Sequence, residues 1–120
     1  MIKLAFVFRS PPYGSASTRE GLDALLAASA FCAEDEIALY FLDDGVFNLC
    51  ANQQAELLLQ KDVASALKLL DLYDIEQRYV CQQSLQKVGL SAEQLGLSCQ
   101  TLSRADIIAQ LRSVPKILTF

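Results

Sequence analysis

The chain has 120 residues, a net charge of −4 and no histidine; 52% of its residues are hydrophobic and 20% charged. That balance fits one domain (residues 1–120) around one core and excludes a disordered chain. The apolar runs are too short to span a membrane, and the lack of any Lys/Arg run excludes a direct nucleic-acid surface.

Met1–Phe8 has neither a basic start nor a small-residue cleavage site, so it reads as a first strand, Ile2–Phe8, rather than a signal peptide. The expected location is cytoplasmic. The strand is apolar almost throughout, which predicts burial on both faces, as in a parallel sheet. Ser10-Pro11-Pro12-Tyr13-Gly14-Ser15 then breaks the chain. Ser17-Thr18-Arg19-Glu20 has the form of a capping box, with Ser17 as N-cap. It opens a helix to about Cys32 that carries Leu22, Leu25, Leu26 and Ala30 on one face.

Ile37–Leu42 is a second buried strand. Asp43-Asp44-Gly45 closes it as a turn, Val46–Cys50 follows as a short helical turn, and Asn52-Gln53-Gln54 is polar. Asp62 caps a predicted helix bearing Val63, Ala66, Leu67 and Leu70. Leu72-Tyr73-Asp74 links it to a third strand, Glu76–Val80. A short helix runs from about Gln83 to a stop at Gly89. Ser91-Ala92-Glu93-Gln94 repeats the capping-box pattern, for a turn that ends near Gly96. Ser98–Leu102 is a fourth strand. Ser103 caps a helix with Ile107, Ile108 and Leu111, Pro115 stops it, and Lys116–Phe120 is a fifth strand. This alternation predicts a single α/β domain: a five-stranded, mainly parallel sheet with helices on both faces. Strand order is not readable from the pattern.

Without histidine, Ser-His-Asp and Cys-His catalysis and imidazole-bound zinc are excluded. The four cysteines, Cys32, Cys50, Cys81 and Cys99, form no C-x-x-C pair, and a cytoplasmic chain keeps them reduced. Cys81 is the candidate site. It lies where the third strand ends and a helix begins, at the sheet edge that open α/β folds use for chemistry. Helix N–H groups there favour a thiolate. Two readings of Cys81 stand: a low-pKa thiol that carries persulfide sulfur, or a small buried residue. Arg78 and Lys87 are the only basic residues near it in sequence. Cys32, Cys50 and Cys99 read as structural.

Two other stretches resemble ligand sites more weakly. Ser10–Thr18 sits where phosphate loops sit but lacks their glycine patterns, so it reads as a stiff connecting loop. Asp43-Asp44-Gly45-Val46-Phe47 could hold Mg²⁺ as receiver domains do, but Lys116 lies at the start of the last strand, where a receiver lysine would not be. The stretch reads as a solvated turn. No cofactor and no metal are expected.

The chain resembles the DsrE/DsrF-like sulfur-relay proteins, most closely their DsrF-type subunit. The resemblance is carried by residues 5–8, Pro12-Tyr13-Gly14 and Arg19-Glu20-Gly21-Leu22-Asp23-Ala24-Leu25-Leu26-Ala27. It continues through Asp44-Gly45-Val46-Phe47 and Lys68-Leu69-Leu70-Asp71-Leu72-Tyr73-Asp74-Ile75-Glu76-Gln77. Val80-Cys81, Ser84-Leu85, Gly89-Leu90 and Ile117-Leu118-Thr119-Phe120 complete it. It implies a subunit of a cytoplasmic complex that joins B-type and D-type paralogues in a dimer of heterotrimers. Such a complex passes persulfide sulfur from a small carrier protein to an acceptor, toward 2-thiolation of the wobble uridine of tRNA. The D-type subunit carries the active cysteine, followed by basic residues. Cys81 falls at the matching position, but Gln86-Lys87-Val88 holds one basic residue. That implies a structural or assisting subunit rather than an enzyme. The alternatives are a stand-alone thiol sulfurtransferase with Cys81 as persulfide carrier, and a nucleotide-binding flavodoxin-like module.

Overall fold

Residues 2–11, 16–49, 74–91, 93, 95 and 98–120 are described by the computed structural model. Strands β1 (Leu4–Phe8), β2 (Ile37–Phe41), β3 (Arg78–Cys81), β4 (Gln100–Leu102) and β5 (Lys116–Thr119) form one sheet in the order β4-β3-β2-β1-β5. Every pairing is parallel. The α-helices among the described residues are α1 (Ser17–Ala28), α2 (Gln82–Val88) and α3 (Arg104–Leu111). Residues Glu34–Glu36 and Asp43–Leu49 form 3-10 segments.

Alternation along the strands builds two cores. Phe6 and Phe8 of β1, Ile37, Leu39 and Phe41 of β2 and Val80 of β3 point to one face. There they meet Leu22 and Leu25 of α1, Val46 and Leu49 of the second 3-10 segment, and Leu85 of α2. Phe8 stacks on Phe41 at 5.3 Å and on Phe120 at 5.9 Å. The other face carries Ala5, Val7, Ala38, Tyr40 and Cys81, packed against Ile107 of α3 and Val114. All of β2 is buried, which is why its sequence is unbroken apolar. Each large side chain so buried contributes about 1.5–3 kcal/mol.

The strands start later than predicted, at Leu4, Arg78 and Gln100. Strand ends are set by where a neighbour is in register, and β3 first pairs at Arg78 with Leu39. Helix α1 also differs. Ser17 is its first residue, not its N-cap, and it ends at Ala28. Thr18, buried, donates its hydroxyl to the Ser10 carbonyl at 3.2 Å, so packing on the preceding loop sets the entry. Beyond Ala28 the chain tightens into three-residue hydrogen bonds, Ala30 to Ala27 and Phe31 to Ala28.

Other expectations hold. Ser103 caps α3, accepting from the Asp106 N–H at 3.1 Å. Gly89 ends α2 at φ 74°, the left-handed conformation that glycine adopts freely. Ile108, expected on the inner face of α3, is 42% exposed, while Ile107 beside it is fully buried. Pro12–Ser15, Cys50, Asn52–Gln54, the helix after Asp62, Leu72-Tyr73 and, in the turn at Ser91–Gly96, Ala92, Gln94 and Gly96 lie outside the described residues.

Candidate functional site

The carboxyl ends of the strands bring together what the sequence separates. β3 ends at Cys81, which is also the N-cap of α2. Cys81 pairs in register with Leu102, and Ser103 and α3 follow directly. Its side chain lies on the α3 face of the sheet and is 0% exposed. The thiol donates to Gln83 Oε1 at 3.7 Å. The same oxygen accepts the backbone N–H of Arg104 at 2.9 Å. The start of α3 is therefore fastened over the cysteine.

Arg104 is the basic residue that sequence reasoning missed, because it is far from Cys81 in the chain. The signal that could have found it is the N-cap at Ser103, which places the next residue at the same sheet edge. The two basic neighbours in sequence are placed elsewhere. Arg78 lies on the opposite face from Cys81 by strand alternation, and its charge acts on Cys99. Lys87 lines a cleft of about 450 Å³ on the Asp43 side of this edge, with Arg9, Ser10, Asp43, Asp44, Thr119 and Phe120.

Asp43 is the hub of this edge. Its Oδ1 accepts from Arg104 Nη1 at 2.9 Å and its Oδ2 from Arg9 Nε at 2.8 Å. Its own N–H donates to the buried Ser84 Oγ of α2 at 2.8 Å. These bonds hold Asp43 at φ 53°, a left-handed conformation that costs a non-glycine residue about 1–2 kcal/mol. The hydrogen bond from Arg104, then that from Arg9, holds the Asp43 carboxyl below its ordinary value. Arg104 is raised in return, first by the hydrogen bond to Asp43 and its charge, with Cys81 adding through charge and a hydrogen bond. Gly45 makes the turn possible. A Cβ there would fall on the Phe8 carbonyl oxygen and lie 2.5 Å from its carbon. Asn48 Nδ2 closes the turn, donating to Ser10 O and Gly45 O at 2.9 Å each.

The turn expected after β2 is a braced 3-10 segment whose two aspartates still reach solvent, while Gly45, Val46, Asn48 and Leu49 are buried. It also suits Mg²⁺ poorly, since both Asp43 oxygens face guanidinium groups. No cluster of three or more metal-ligating side chains occurs among the described residues. Ser10 serves the fold, through its carbonyl bonds to Thr18 and Asn48. Cys32 and Cys99 are half-buried against the Phe6–Phe8 core, and burial pushes the Cys99 thiol up to about 12. No helix among the described residues is long and apolar enough to cross a membrane.

A small parallel α/β domain with a cysteine buried at the strand-to-helix junction of its third strand is the class that this fold and edge define. The chain belongs to the DsrE/DsrF-like family, whose model matches residues 2–120. Among curated proteins, it is 56% identical to the "Protein TusC homolog" of Pasteurella multocida (strain Pm70), over 99% of this chain and 100% of that protein. It is 50% identical to the "Protein TusC homolog" of Haemophilus influenzae over the same shares. It is also 50% identical to "Protein TusC" of Escherichia coli O157:H7, over 78% of this chain and 76% of that one. Among solved structures, the ychN protein from E. coli superposes with a TM-score of 0.81 at 20% identity, covering 100% of both chains. That likeness shows the fold.

Proposed function

We propose that this chain is a structural or assisting subunit of a cytoplasmic sulfur-relay complex. The complex passes persulfide sulfur toward 2-thiolation of the wobble uridine of tRNA. Its companions are B-type and D-type paralogues in a dimer of heterotrimers, served by a small sulfur carrier and an acceptor protein. The relatives named TusC support membership in such a complex.

The observation that carries the assisting role is the complete burial of Cys81 beneath the Gln83–Arg104 contact. In a relay step a thiolate attacks the outer sulfur of a donor persulfide, and the donor leaves as its own thiolate. That attack needs the two sulfurs in contact. A cysteine closed off at the sheet edge does not offer this as it stands. The test is Cys81→Ser as the only copy in cells, with thiouridine measured in their tRNA. Thiolation falls only modestly. Its complete loss with the complex still assembled refutes the assisting role.

A second reading, a thiol sulfurtransferase that uses Cys81 as persulfide carrier, is favoured by Arg104 beside the thiol. It requires Cys81 to alkylate faster than a free thiol at neutral pH, whereas the assisting role requires it to react no faster.

A further inference from the structure

Three side chains from three different elements converge at Cys81: Gln83 of α2, Arg104 of α3 and, through Arg104, Asp43 after β2. Gln83 Oε1 binds both the Cys81 thiol, at 3.7 Å, and the Arg104 N–H, at 2.9 Å. This ties the first turn of α3 to the cysteine. The guanidinium of Arg104 then has two anionic partners to choose between, the Asp43 carboxylate and, once ionised, the Cys81 sulfur. In this structure Asp43 holds it, at 2.9 Å, and is itself held by Arg9 at 2.8 Å and by the Ser84 hydroxyl. We infer that Arg104 is the positioning residue that governs ionisation of Cys81, and that Asp43 restrains it by competing for the same guanidinium.

The reasoning is electrostatic. A cation beside a thiol favours the thiolate, and a carboxylate paired to that cation cancels part of its effect. The charged and titratable groups of this edge are Arg104 and Asp106 from the first turn of α3, Asp43 and Asp44 from the turn after β2, Lys87 from the last turn of α2, and Arg9 from the end of β1. Tyr40 and Tyr79 share the cysteine's face of the sheet, stacked at 5.2 Å. Burial pushes Tyr40 up to about 12, so it stays neutral across the working range. The Arg104–Asp43 pair is partly exposed, with side chains 44% and 36% accessible. An approaching protein surface can therefore displace one partner without unfolding the domain.

The inference deepens the relay reading without depending on its outcome, since its test reads thiol ionisation and not thiolated tRNA. The measurement is a pH titration of thiolate ultraviolet absorbance on the full chain, with its co-expressed partners where they assemble. Subtracting the same protein carrying Cys81→Ser cancels every other thiol. Arg104→Gln lowers the thiolate-to-thiol ratio of Cys81 at neutral pH by about threefold or more, and Arg104→Lys restores most of it. Asp43→Asn raises the ratio by about as much. Asparagine tolerates the left-handed backbone at this position, so that variant keeps the turn. If Arg104→Gln fails to fold, the opposite sign required of Asp43→Asn decides alone. A folded variant of either kind that leaves the ratio unchanged, or moves it the other way, overturns the inference.

Discussion

Gly45→Ala is the substitution most damaging to this edge for its size. The added methyl would sit on the Phe8 carbonyl oxygen, 2.5 Å from the Phe8 carbonyl carbon and 3.1 Å from the Arg9 nitrogen. Those are backbone atoms, and they are pinned. Phe8 O accepts from Leu42 N at 3.0 Å, and Arg9 N donates to Phe120 O at 2.7 Å. The 3-10 segment must therefore move instead. Moving it breaks the bond from Gly45 N to Leu42 O and the bond from Asn48 Nδ2 to Gly45 O. Each such bond has a net worth of about 1 kcal/mol. The same shift loosens Val46 and Leu49, both buried in the main core. Overpacking of this kind costs about 1–3 kcal/mol on its own. The expected total is about 3 kcal/mol or more, a large share of the roughly 5–15 kcal/mol that a domain possesses. Urea unfolding followed by circular dichroism should show the midpoint fall by about 1–2 M. A loss below about 1 kcal/mol would show that the turn yields freely, and would refute the account of Asp43 as rigidly held.

Three further outcomes are expected. Ser103→Ala removes the cap of α3 and lowers stability by about 1 kcal/mol, while Ser103→Asp retains most of it; chemical denaturation distinguishes them. Asp43, whose folded carboxyl is held low chiefly by Arg104, adds stability above the ordinary carboxylate value of about 3.9. That stability is lost as pH falls through the folded value, so Asp43→Asn should flatten the acid limb of the stability profile below about pH 4. Cys99, with its thiol pushed up to about 12, should alkylate far more slowly in the folded protein at mildly alkaline pH than after unfolding in urea, as peptide mass mapping would report.

What the sequence determined by itself were the features set by near neighbours in the chain. Unbroken apolar runs marked β1 and β2, because central parallel strands are buried on both sides. Ser103, Gly89 and Pro115 marked helix ends, because capping and φ preferences act within a few residues. Cys81 was legible as the residue between strand and helix, and lies there. The family was legible in the motifs, which match a known pattern of side chains whatever their placement. Contacts between distant segments were decided only by the tertiary structure. Strand order depends on how crossovers pack, so local pattern does not encode it. Ser17 gave way as a cap because Thr18 is anchored to the loop after β1. Ile108 faces outward because α3 buries Ile107 against the sheet, a choice made by the angle at which the helix lies. Above all, the charge around Cys81 depends on Arg104 and Asp43, which are distant from it in sequence. Parallel strands all end at one edge of a sheet, so their carboxyl ends gather residues from across the chain; electrostatic interaction follows distance in space, which the linear order of residues does not report.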